Sequence, residues 1–376
     1  MVIYIVIFLL FYSASILEVG GLKKNQASWL FLGLAVLLIL FVGLRYNTGS
    51  DWFMYTRLFD GEPFETEYGY LLLNNFFKKI IDNYYVLQFF VTLFFVFSIG
   101  RFYKKEAPYP MAALTLLMSF MLFNILMAQV RQSIAVAIIV LFSNYIFERK
   151  LLRFLLVIFV ASFFHSSAVA AIPLYFLHRN YGKIIPVLLI LVSNIFFFFP
   201  NLLEIIVLQI APILPKTLSM KATYYMGSIF AQKGEFNTGL FYLSQLAITL
   251  LLILLVNIKD KKTAFFVNSL SVFTIIKALS ISVYILDRLG AYYLVFAIIA
   301  FTYILDIKIK YIQLYYTKLI FAAVLLLFFY VIPIRSITSR KIDKLTNRVE
   351  NYAMVPYYNC IIHPEEATSR KDWNEK

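Results

Sequence analysis

Long runs of apolar residues, separated by short polar breaks, make up most of this chain of 376 residues. The apolar positions are continuous and do not alternate, which favours helices over strands. Runs of about 17–25 apolar residues are long enough to span a bilayer as helices. Helices also satisfy their own backbone hydrogen bonds in lipid. We therefore predict an all-α polytopic membrane protein with about 12 transmembrane helices.

The spans follow from the apolar runs and their polar ends. One run, Leu151–Leu177, is slightly too long for one helix and is interrupted by His165, so we divide it into two short spans. The predicted spans are 2–18, 28–44, 84–100, 109–127, 132–147, the two parts of 151–177, 184–200, 240–258, 264–286, 291–305 and 318–334. They form a transmembrane domain over residues 1–334, which a polar tail follows at 335–376.

Charge gives these helices an orientation. The chain is 62% hydrophobic and 14% charged, with mean hydropathy +0.81 and net charge +14. Such a charge would indicate nucleic acid in a soluble protein, but here short basic loops mark the cytoplasmic side, so no nucleic-acid partner is expected. With twelve spans the basic loops share that side, and they surround Lys23, Lys104, Arg149, Lys183, Lys261 and Lys308.

Both termini, the loops 45–83 and 201–239, and the tail 335–376 then lie outside the cytoplasmic membrane. The basic residues of the tail oppose this orientation, because they follow the last span directly. The single cysteine, Cys360, excludes an intrachain disulfide and a cysteine-based metal site. No cluster of side chains has metal-ligand spacing, so neither a metal nor a cofactor is expected.

Charged side chains collect on the predicted outer side, at membrane depth. Ionisable groups are expensive there and usually face a bundle interior or a wet cavity. Guanidinium groups bind phosphate in bidentate fashion, so several aimed at one cavity would hold a diphosphate. At 3.6 residues per turn, Lys277, Tyr284 and Arg288 would share one helix face lining that cavity. The predicted diphosphate-binding residues are Arg45, Arg131, Arg288 and Lys277.

Three outer groups are candidate proton acceptors for a sugar hydroxyl that attacks the anomeric carbon of a sugar diphospholipid. An imidazole, with a reference pKa of about 6.5, matches neutral pH better than a carboxylate near 4. We therefore rank His165 first, Glu67 second and Asp51 third. Aromatic side chains would contact the substrate, and the candidates are Tyr55, Tyr284, Tyr224, Tyr225, Tyr357 and Tyr358.

Several of these residues also have a structural interpretation that the sequence leaves open, as caps, kinks, local ion pairs or interfacial anchors. These alternatives are a hairpin cap for Arg131, a kink for His165, a helix cap for Asp51, an ion pair for Asp287 and Arg288, reach to the interface for Lys277, and an aromatic belt for Tyr224 and Tyr225.

Short motifs occur in order along nearly the whole chain: Arg45 with Gly49-Ser50-Asp51 and Tyr55, Glu67–Tyr70, Arg131–Ala135, Phe164–Ala168, Asp287-Arg288 and Val355–Tyr358. Together they resemble the EpsG branch of the Wzy-type repeat-unit polymerases of bacterial O-antigen, capsule and exopolysaccharide. The resemblance implies a GT-C-like glycosyltransferase fold. It implies an undecaprenyl-diphosphate-linked oligosaccharide as donor and acceptor, growth at the reducing end on the outer face, and a chain-length regulator as a further partner.

Two other functions would use a similar cavity. A flippase or transporter of lipid-linked oligosaccharide would also need arginines there, but many transporters contain repeats with matched broken helices, and the sequence shows no repeat. An O-antigen ligase-like transferase would share the fold and the diphosphate cavity. The sequence therefore favours a polymerase over a transporter and separates it poorly from a ligase.

The orientation predicts opposite accessibility for Ser50 and Lys261. Single cysteines introduced as Ser50→Cys and Lys261→Cys, in a Cys360→Ser background, would be probed with an impermeant thiol reagent on intact cells. We expect labelling at position 50 and not at position 261, because basic short loops stay in the cytoplasm. Labelling at 261 but not at 50 would reverse the orientation.

Overall fold

The computed structural model is predominantly helical. It describes residues 2–213, 239–283, 286–306 and 315–338, together with 216, 219–220, 223, 342–343, 348–349 and 357–359. Three predicted substrate contacts, Tyr224, Tyr225 and Tyr284, lie outside the described residues.

Up to residue 141 the helices follow the predicted spans closely. They are α1 (Val2–Val19), α2 (Lys24–Gly43), α3 (Trp52–Asp60), α4 (Tyr68–Ile80), α5 (Tyr84–Glu106), α6 (Pro110–Met121) and α7 (Val130–Leu141), with a short strand β1 (Arg45–Tyr46) after α2 and a π-helix (Leu122–Ala128) after α6.

The remaining helices are shorter on average. They are α8 (Asn144–Phe147), α9 (Leu151–Ser162), a 3₁₀-helix (Ser166–Ala171), α10 (Leu174–Leu177), α11 (Ile184–Ser193), α12 (Ile195–Phe198), α13 (Pro200–Ile210), a 3₁₀-helix (Ala211–Ile213), α14 (Gly239–Leu255), α15 (Lys261–Ser280), α16 (Asp287–Tyr303), a 3₁₀-helix (Ile304–Asp306) and α17 (Tyr315–Thr338). Strand β2 (Ile342–Asp343) pairs with β3 (Arg348–Val349), and β4 (Tyr358–Asn359) pairs with β1, both antiparallel.

Five helical segments in the described part of the chain are long and apolar enough to cross a membrane. They are α1, α2, α5, α6 with its π-helix, and α15, and the bent pair 184–198 and 201–213 would add a sixth if it is one span. Shorter apolar helical stretches of 10–17 residues also occur, among them residues 319–334 within α17. These segments indicate a multi-pass membrane protein, whereas the predicted number of about 12 spans is not confirmed.

The chain divides into two compact units, which are described separately. The first unit comprises residues 1–143, 156–168 and 308–376, and the second comprises 144–155 and 169–307. The division falls within α9, shortly before the break predicted at His165. That break is confirmed, because α9 ends at Ser162 and a 3₁₀-helix follows from Ser166.

In the first unit, α1 packs against α6 and α17, and α5 packs against α2 and α7. Polar contacts tie these apolar helices together. The hydroxyls of Ser15 on α1 and Thr115 on α6 lie 2.6 Å apart. A carboxylate oxygen of Glu18 accepts from the backbone N–H groups of Met111 and Ala112, at 2.9 and 3.1 Å. Glu18 thereby satisfies donors that the first turn of α6 leaves without intrahelical partners.

In the second unit, α15 and α16 form a helical hairpin. Gly290 lets the helices approach, since a Cβ there would lie 3.4 Å from the ring of Phe273. Asn268 donates to the carbonyls of Leu177 and Arg179, at 2.9 and 2.8 Å, which holds the end of α10 against α15.

The predicted span 264–286 is wrong at its C-terminal end. Helix α15 ends at Ser280, and α16 begins only at Asp287. The hydroxyl of Ser280 donates to the carbonyl of Lys277 at 2.8 Å. Such serine contacts compete with the helical backbone and favour an end or a turn. Lys277 and Arg288 therefore lie on different helices, and the argument from a shared helix face fails.

The turn between β1 and α3 is fixed by the buried Arg45, which is 1% exposed. Its guanidinium donates to the carbonyls of Val42 (2.7 Å), Thr48 (3.1 Å) and Met127 (3.2 Å). These bonds join the end of α2, the turn and the π-helix. This placement gives Arg45 a structural role, since Nε, Nη1 and Nη2 each donate to a backbone oxygen, and its contact with a diphosphate stays a prediction.

Gly49 is required for this turn. Its φ of +122° lies in the region that favours glycine, and a Cβ there would lie 2.3 Å from the carbonyl oxygen of Met127. We expect Gly49→Ala to destabilise the protein by about 1–3 kcal/mol through backbone strain. Thermal unfolding of purified protein measures this loss.

Gly33→Ala provides the matched control, because a Cβ at Gly33 in α2 meets no atom within 4 Å. Alanine in a helix interior is expected to stabilise by roughly 0.5–1 kcal/mol. Equal unfolding temperatures for the two variants would contradict a steric requirement at Gly49.

Candidate active site

Three segments of the first unit bring together an arginine, a glutamate and a histidine. Glu67 lies immediately before α4, Arg131 lies in the first turn of α7, and His165 lies in the break after α9. Their side chains are 18%, 20% and 14% exposed, respectively. Each side chain is therefore partly withdrawn from solvent.

Glu67 binds Arg131 through one of its carboxylate oxygens. Arg131 Nη1 lies 2.6 Å from Glu67 Oε2 and also donates to the hydroxyl of Thr66 at 2.9 Å. Arg131 Nε lies 3.5 Å from the hydroxyl of Tyr55, whose ring centre is 5.9 Å from the guanidinium carbon. Tyr55 is 2% exposed, so it supports the guanidinium from inside the protein. The direct contact of Tyr55 with substrate stays a prediction.

The other carboxylate oxygen of Glu67 contacts His165 and Ser166, at the break between α9 and the following 3₁₀-helix. His165 Nδ1 lies 3.2 Å from Glu67 Oε1, and the backbone N–H of Ser166 donates to the same oxygen at 3.1 Å. A carboxylate that accepts from Nδ1–H selects one tautomer of the neutral imidazole. In that tautomer Nε2 is unprotonated and is the ring nitrogen able to accept a proton.

Gly69, at the start of α4, contacts the backbone at the same helix break. Its backbone N–H donates to the carbonyl of Phe163 at 2.9 Å. A Cβ at this position would lie 2.7 Å from that oxygen, so glycine permits the approach. The start of α4 is therefore bound to the break after α9 by two contacts. Gly69 binds the backbone at Phe163, and the Glu67 carboxylate orients the imidazole of His165.

The surroundings of Glu67 lower its pKa. Burial by itself raises the pKa of this carboxyl, but the His165 hydrogen bond, the Arg131 charge and the Ser166 N–H outweigh it and lower the pKa to about 2. Glu67 is therefore ionised at neutral pH, and both of its oxygens accept hydrogen bonds. This arrangement favours an orienting role over the proton-acceptor role predicted for Glu67.

A π-helix precedes Arg131 directly. It runs over Leu122–Ala128, and Gln129, with φ −99° and ψ 66°, separates it from α7. Wider helical turns of this kind occur frequently at functional sites. Here the π-helix offers the carbonyl of Met127 to Arg45 and places Arg131 in the first turn of the next helix.

Asp51 has a local role in the structure. Helix α3 begins at Trp52 as predicted, but the Asp51 side chain makes no capping hydrogen bond. It instead accepts from the hydroxyl of its neighbour Ser50 at 2.9 Å. The predicted cap is therefore wrong, because the carboxylate turns toward Ser50 and away from the first-turn N–H groups.

The tail segment 357–359 docks beside the same end of α2. The ring of Tyr357 stacks on Phe41 at 4.6 Å, and its hydroxyl donates to the Phe41 carbonyl. The backbone of Tyr358 pairs with Tyr46 in the β1–β4 ladder. Tyr357 therefore anchors the tail to α2, which gives it a structural role in place of the predicted contact with substrate.

In the second unit, Lys277 and Asp287 form an ion pair across the α15–α16 hairpin, with Lys277 Nζ 2.7 Å from Asp287 Oδ1. Arg288 follows in the first turn of α16 and is half-buried. The described ion pair of Asp287 is therefore with Lys277, and the local pair of Asp287 with Arg288 stays a prediction. Among the residues that the structure describes, no group of three or more His, Cys, Asp or Glu side chains could hold a metal.

Comparison with known proteins gives one match. The sequence model of the EpsG family covers residues 28–358, most of the chain. The chain belongs to the EpsG family. The family is associated with exopolysaccharide biosynthesis and glycosyltransferase activity, and membership suggests a polysaccharide polymerase-type role. No curated protein and no solved structure matches the chain.

The region matched to the EpsG family begins within α2 and ends at Tyr358 in β4. It therefore includes Glu67, Arg131, His165 and the docked tail segment. The recognised family thus agrees with the resemblance deduced from the short motifs of the sequence.

Two polar groups of this EpsG-family site were missed by sequence reasoning. Thr66 contacts Arg131, and Gln88 donates to the carbonyls of Gly43 and Arg45 at 2.9 and 2.8 Å. Gln88 could have been identified from the sequence, since a lone amide within an apolar span needs a polar partner. Thr66 gave none, because threonine is ordinary in a loop.

The lowered pKa of Glu67 predicts an acid sensitivity of the EpsG-family protein. Its folded-state pKa of about 2 lies below the ordinary 4.5, so the stabilisation is complete above pH 4.5 and is lost as pH falls toward 2. We expect the loss to be on the order of 2 kcal/mol, reduced by partial solvent exposure. Thermal unfolding against pH measures it.

Glu67→Gln should remove this pH-dependent contribution to stability, so that the unfolding temperature falls less between pH 4.5 and pH 2 than it does for the wild type. The exposed Glu65→Gln, two positions earlier, is the matched control and should retain the wild-type profile. If both variants lose stability with pH as the wild type does, the bridge contributes nothing to folding.

Proposed function

We propose that this protein is a membrane glycosyltransferase of the Wzy type. It transfers a growing glycan from undecaprenyl diphosphate onto the sugar of an incoming undecaprenyl-diphosphate-linked repeat unit. One observation supports the proposal most strongly: a single carboxylate, Glu67, contacts both the guanidinium of Arg131 and the imidazole of His165. A guanidinium is a group able to bind phosphate, and an imidazole is a group able to accept a proton. Both groups are needed when a sugar hydroxyl displaces a diphosphate.

Arg131 receives the diphosphate in this proposal. Its described hydrogen bonds use Nη1 and Nε, and the proposal assigns Nη2 to phosphate oxygens of the donor. Charge-assisted bonds from guanidinium to phosphate are short and strong. They strengthen as negative charge develops on the leaving diphosphate, which lowers the barrier to bond cleavage.

His165 accepts the proton. The acceptor hydroxyl oxygen attacks the anomeric carbon of the growing glycan, and its proton passes to Nε2 of the imidazole. The bond between the anomeric carbon and the diphosphate oxygen breaks, and undecaprenyl diphosphate leaves with the electron pair. Glu67 keeps Nδ1–H in place and stabilises the imidazolium that forms, as the carboxylate does in other carboxylate–histidine pairs.

The other residues that the sequence predicts to contact diphosphate or sugar are also part of the proposal. Lys277 and Arg288 remain candidates for a second diphosphate contact, and Tyr224, Tyr225 and Tyr284 remain candidates for sugar contacts. Tyr358 contributes its backbone to the β1–β4 ladder. Arg45, Tyr55 and Tyr357 have the partners described above, so the proposal gives them a supporting role at the site.

The remaining features are proposed on the family resemblance and the charge pattern. They are a GT-C-like fold with about 12 spans, a position in the bacterial cytoplasmic membrane with the active site on the outer face, and a chain-length regulator as partner. The end of α2 offers one supporting contact. The tail segment 357–359 pairs with β1, which follows α2, so this part of the tail and the loop 45–83 share one side.

The proposal is tested with purified protein and synthetic lipid-diphosphate repeat units. A ladder of products indicates polymerisation. We expect His165→Ala to reduce turnover by about 10²–10⁴-fold while substrate binding persists, because it removes a general base. We expect Arg131→Lys to reduce turnover strongly, because it retains the charge but loses the planar fork.

His178→Ala and Arg153→Lys are the matched controls, since the described ring contacts of these residues are with Phe147 and Tyr145. Normal turnover by both site variants would overturn the assignment. Unchanged substrate length with movement across a vesicle would identify a flippase, and transfer onto a different acceptor would identify a ligase.

A further inference from the structure

An apolar groove runs along the first unit between α2 and α5, at the end of these helices that lies away from the Glu67 cluster. It has a volume of about 680 Å³. Two small residues, Ala35 on α2 and Gly100 on α5, are part of its lining, and Gly100 faces the ring of Phe31.

The length of the groove matches one leaflet of a bilayer. Its lining on α2 extends from Ser28 to Ile39, which corresponds to about 17 Å at 1.5 Å per residue. The hydrocarbon core of a bilayer is about 30 Å thick, so the groove spans roughly half of it. Both α2 and α5 are long and apolar enough to cross the membrane. The groove therefore fits the chain of a lipid from one leaflet.

One end of the groove is basic. Arg101, Lys104 and Lys105 line it on the last turns of α5, where α2 begins at Lys24. Lys105 lies 3.6 Å from Glu106, so Arg101 and Lys104, three residues apart on one face, carry the unbalanced charge. Trp29 is 74% exposed at this end, as expected for a side chain at headgroup level.

We propose that this groove binds an anionic glycerophospholipid, with its phosphate at Arg101 and Lys104 and an acyl chain along α2. Basic pockets between transmembrane helices bind such headgroups. Apolar length, one-leaflet depth and positive charge at one end together select this class of lipid over a zwitterionic one.

The isoprenoid lipid of the proposed reaction is a less suitable occupant. Its diphosphate must reach Arg131, which lies with β1 and the loop 45–83 beyond the C-terminal end of α2. The basic end of the groove lies at the N-terminal end of α2, on the opposite side of the membrane. A single lipid cannot place its phosphate at both ends.

The experiment uses purified full-length protein, with native mass spectrometry to measure retained phosphatidylglycerol and phosphatidylcholine. Each basic residue near a membrane surface contributes about fivefold to the binding of anionic lipid. We expect wild-type protein to prefer phosphatidylglycerol and Arg101→Gln/Lys104→Gln to bind it about 30-fold more weakly. Both side chains are exposed, so the variant should fold, which gel filtration verifies.

Two matched controls accompany this variant. Lys78→Gln/Lys79→Gln removes the same charge from the exposed face of α4 and should retain binding. Ala35→Phe fills the groove and should reduce binding of phosphatidylglycerol, whereas Leu40→Phe, an exposed position outside the lining, should not.

Three results would overturn the proposal: equal retention of the two phospholipids, equal loss in both glutamine variants, or displacement of phosphatidylglycerol by undecaprenyl phosphate with the same sensitivity to Arg101 and Lys104. The assay requires no turnover, so its outcome is independent of the proposed polymerase activity.

Discussion

The bridge that Glu67 makes between Arg131 and His165 is the interaction on which the site depends. It joins three segments far apart in the sequence, at 2.6 Å to the guanidinium and 3.2 Å to the imidazole. Loss of the carboxylate would leave a partly buried guanidinium without its counter-charge and an imidazole without a fixed tautomer. The same residue therefore determines local stability and the direction in which His165 presents Nε2.

Irregular backbone positions these groups within a frame of regular helices. The carbonyl of Met127 in the π-helix accepts from Arg45, and the carbonyl of Phe163 in the break accepts from Gly69. In lipid, such freed carbonyls must find partners inside the protein. At each helix break, a hydrogen bond thus joins segments that are distant in the sequence. The side chains next to the breaks, Arg131 and His165, are positioned by these contacts.

Much of this fold could be predicted from the sequence, and part of the site could not. Apolar runs and their polar ends located most helices, and a histidine within an overlong run predicted the break at His165. The sequence did not show which partner each polar group would have. An arginine at membrane depth must be satisfied, but Arg45 shows that backbone carbonyls can do this as well as a ligand. The end of α15 was missed because the serines following Lys277 lie within an apolar run.

The contrast between Arg45 and Arg131 bears on how a diphosphate would be attracted. Arg131 is paired with Glu67, so this pair is formally neutral. In the part of the chain that the structure describes, Arg45 is bound by carbonyl oxygens, and no carboxylate pairs with it. A buried charge of this kind acts over distance without contact, and the low-dielectric surroundings strengthen its field. Arg131 would then supply the directed hydrogen bonds to phosphate, while Arg45 would supply net positive potential behind it. A single arginine cannot be both tightly paired and strongly attractive to an anion, and the division of these tasks between two arginines resolves that conflict.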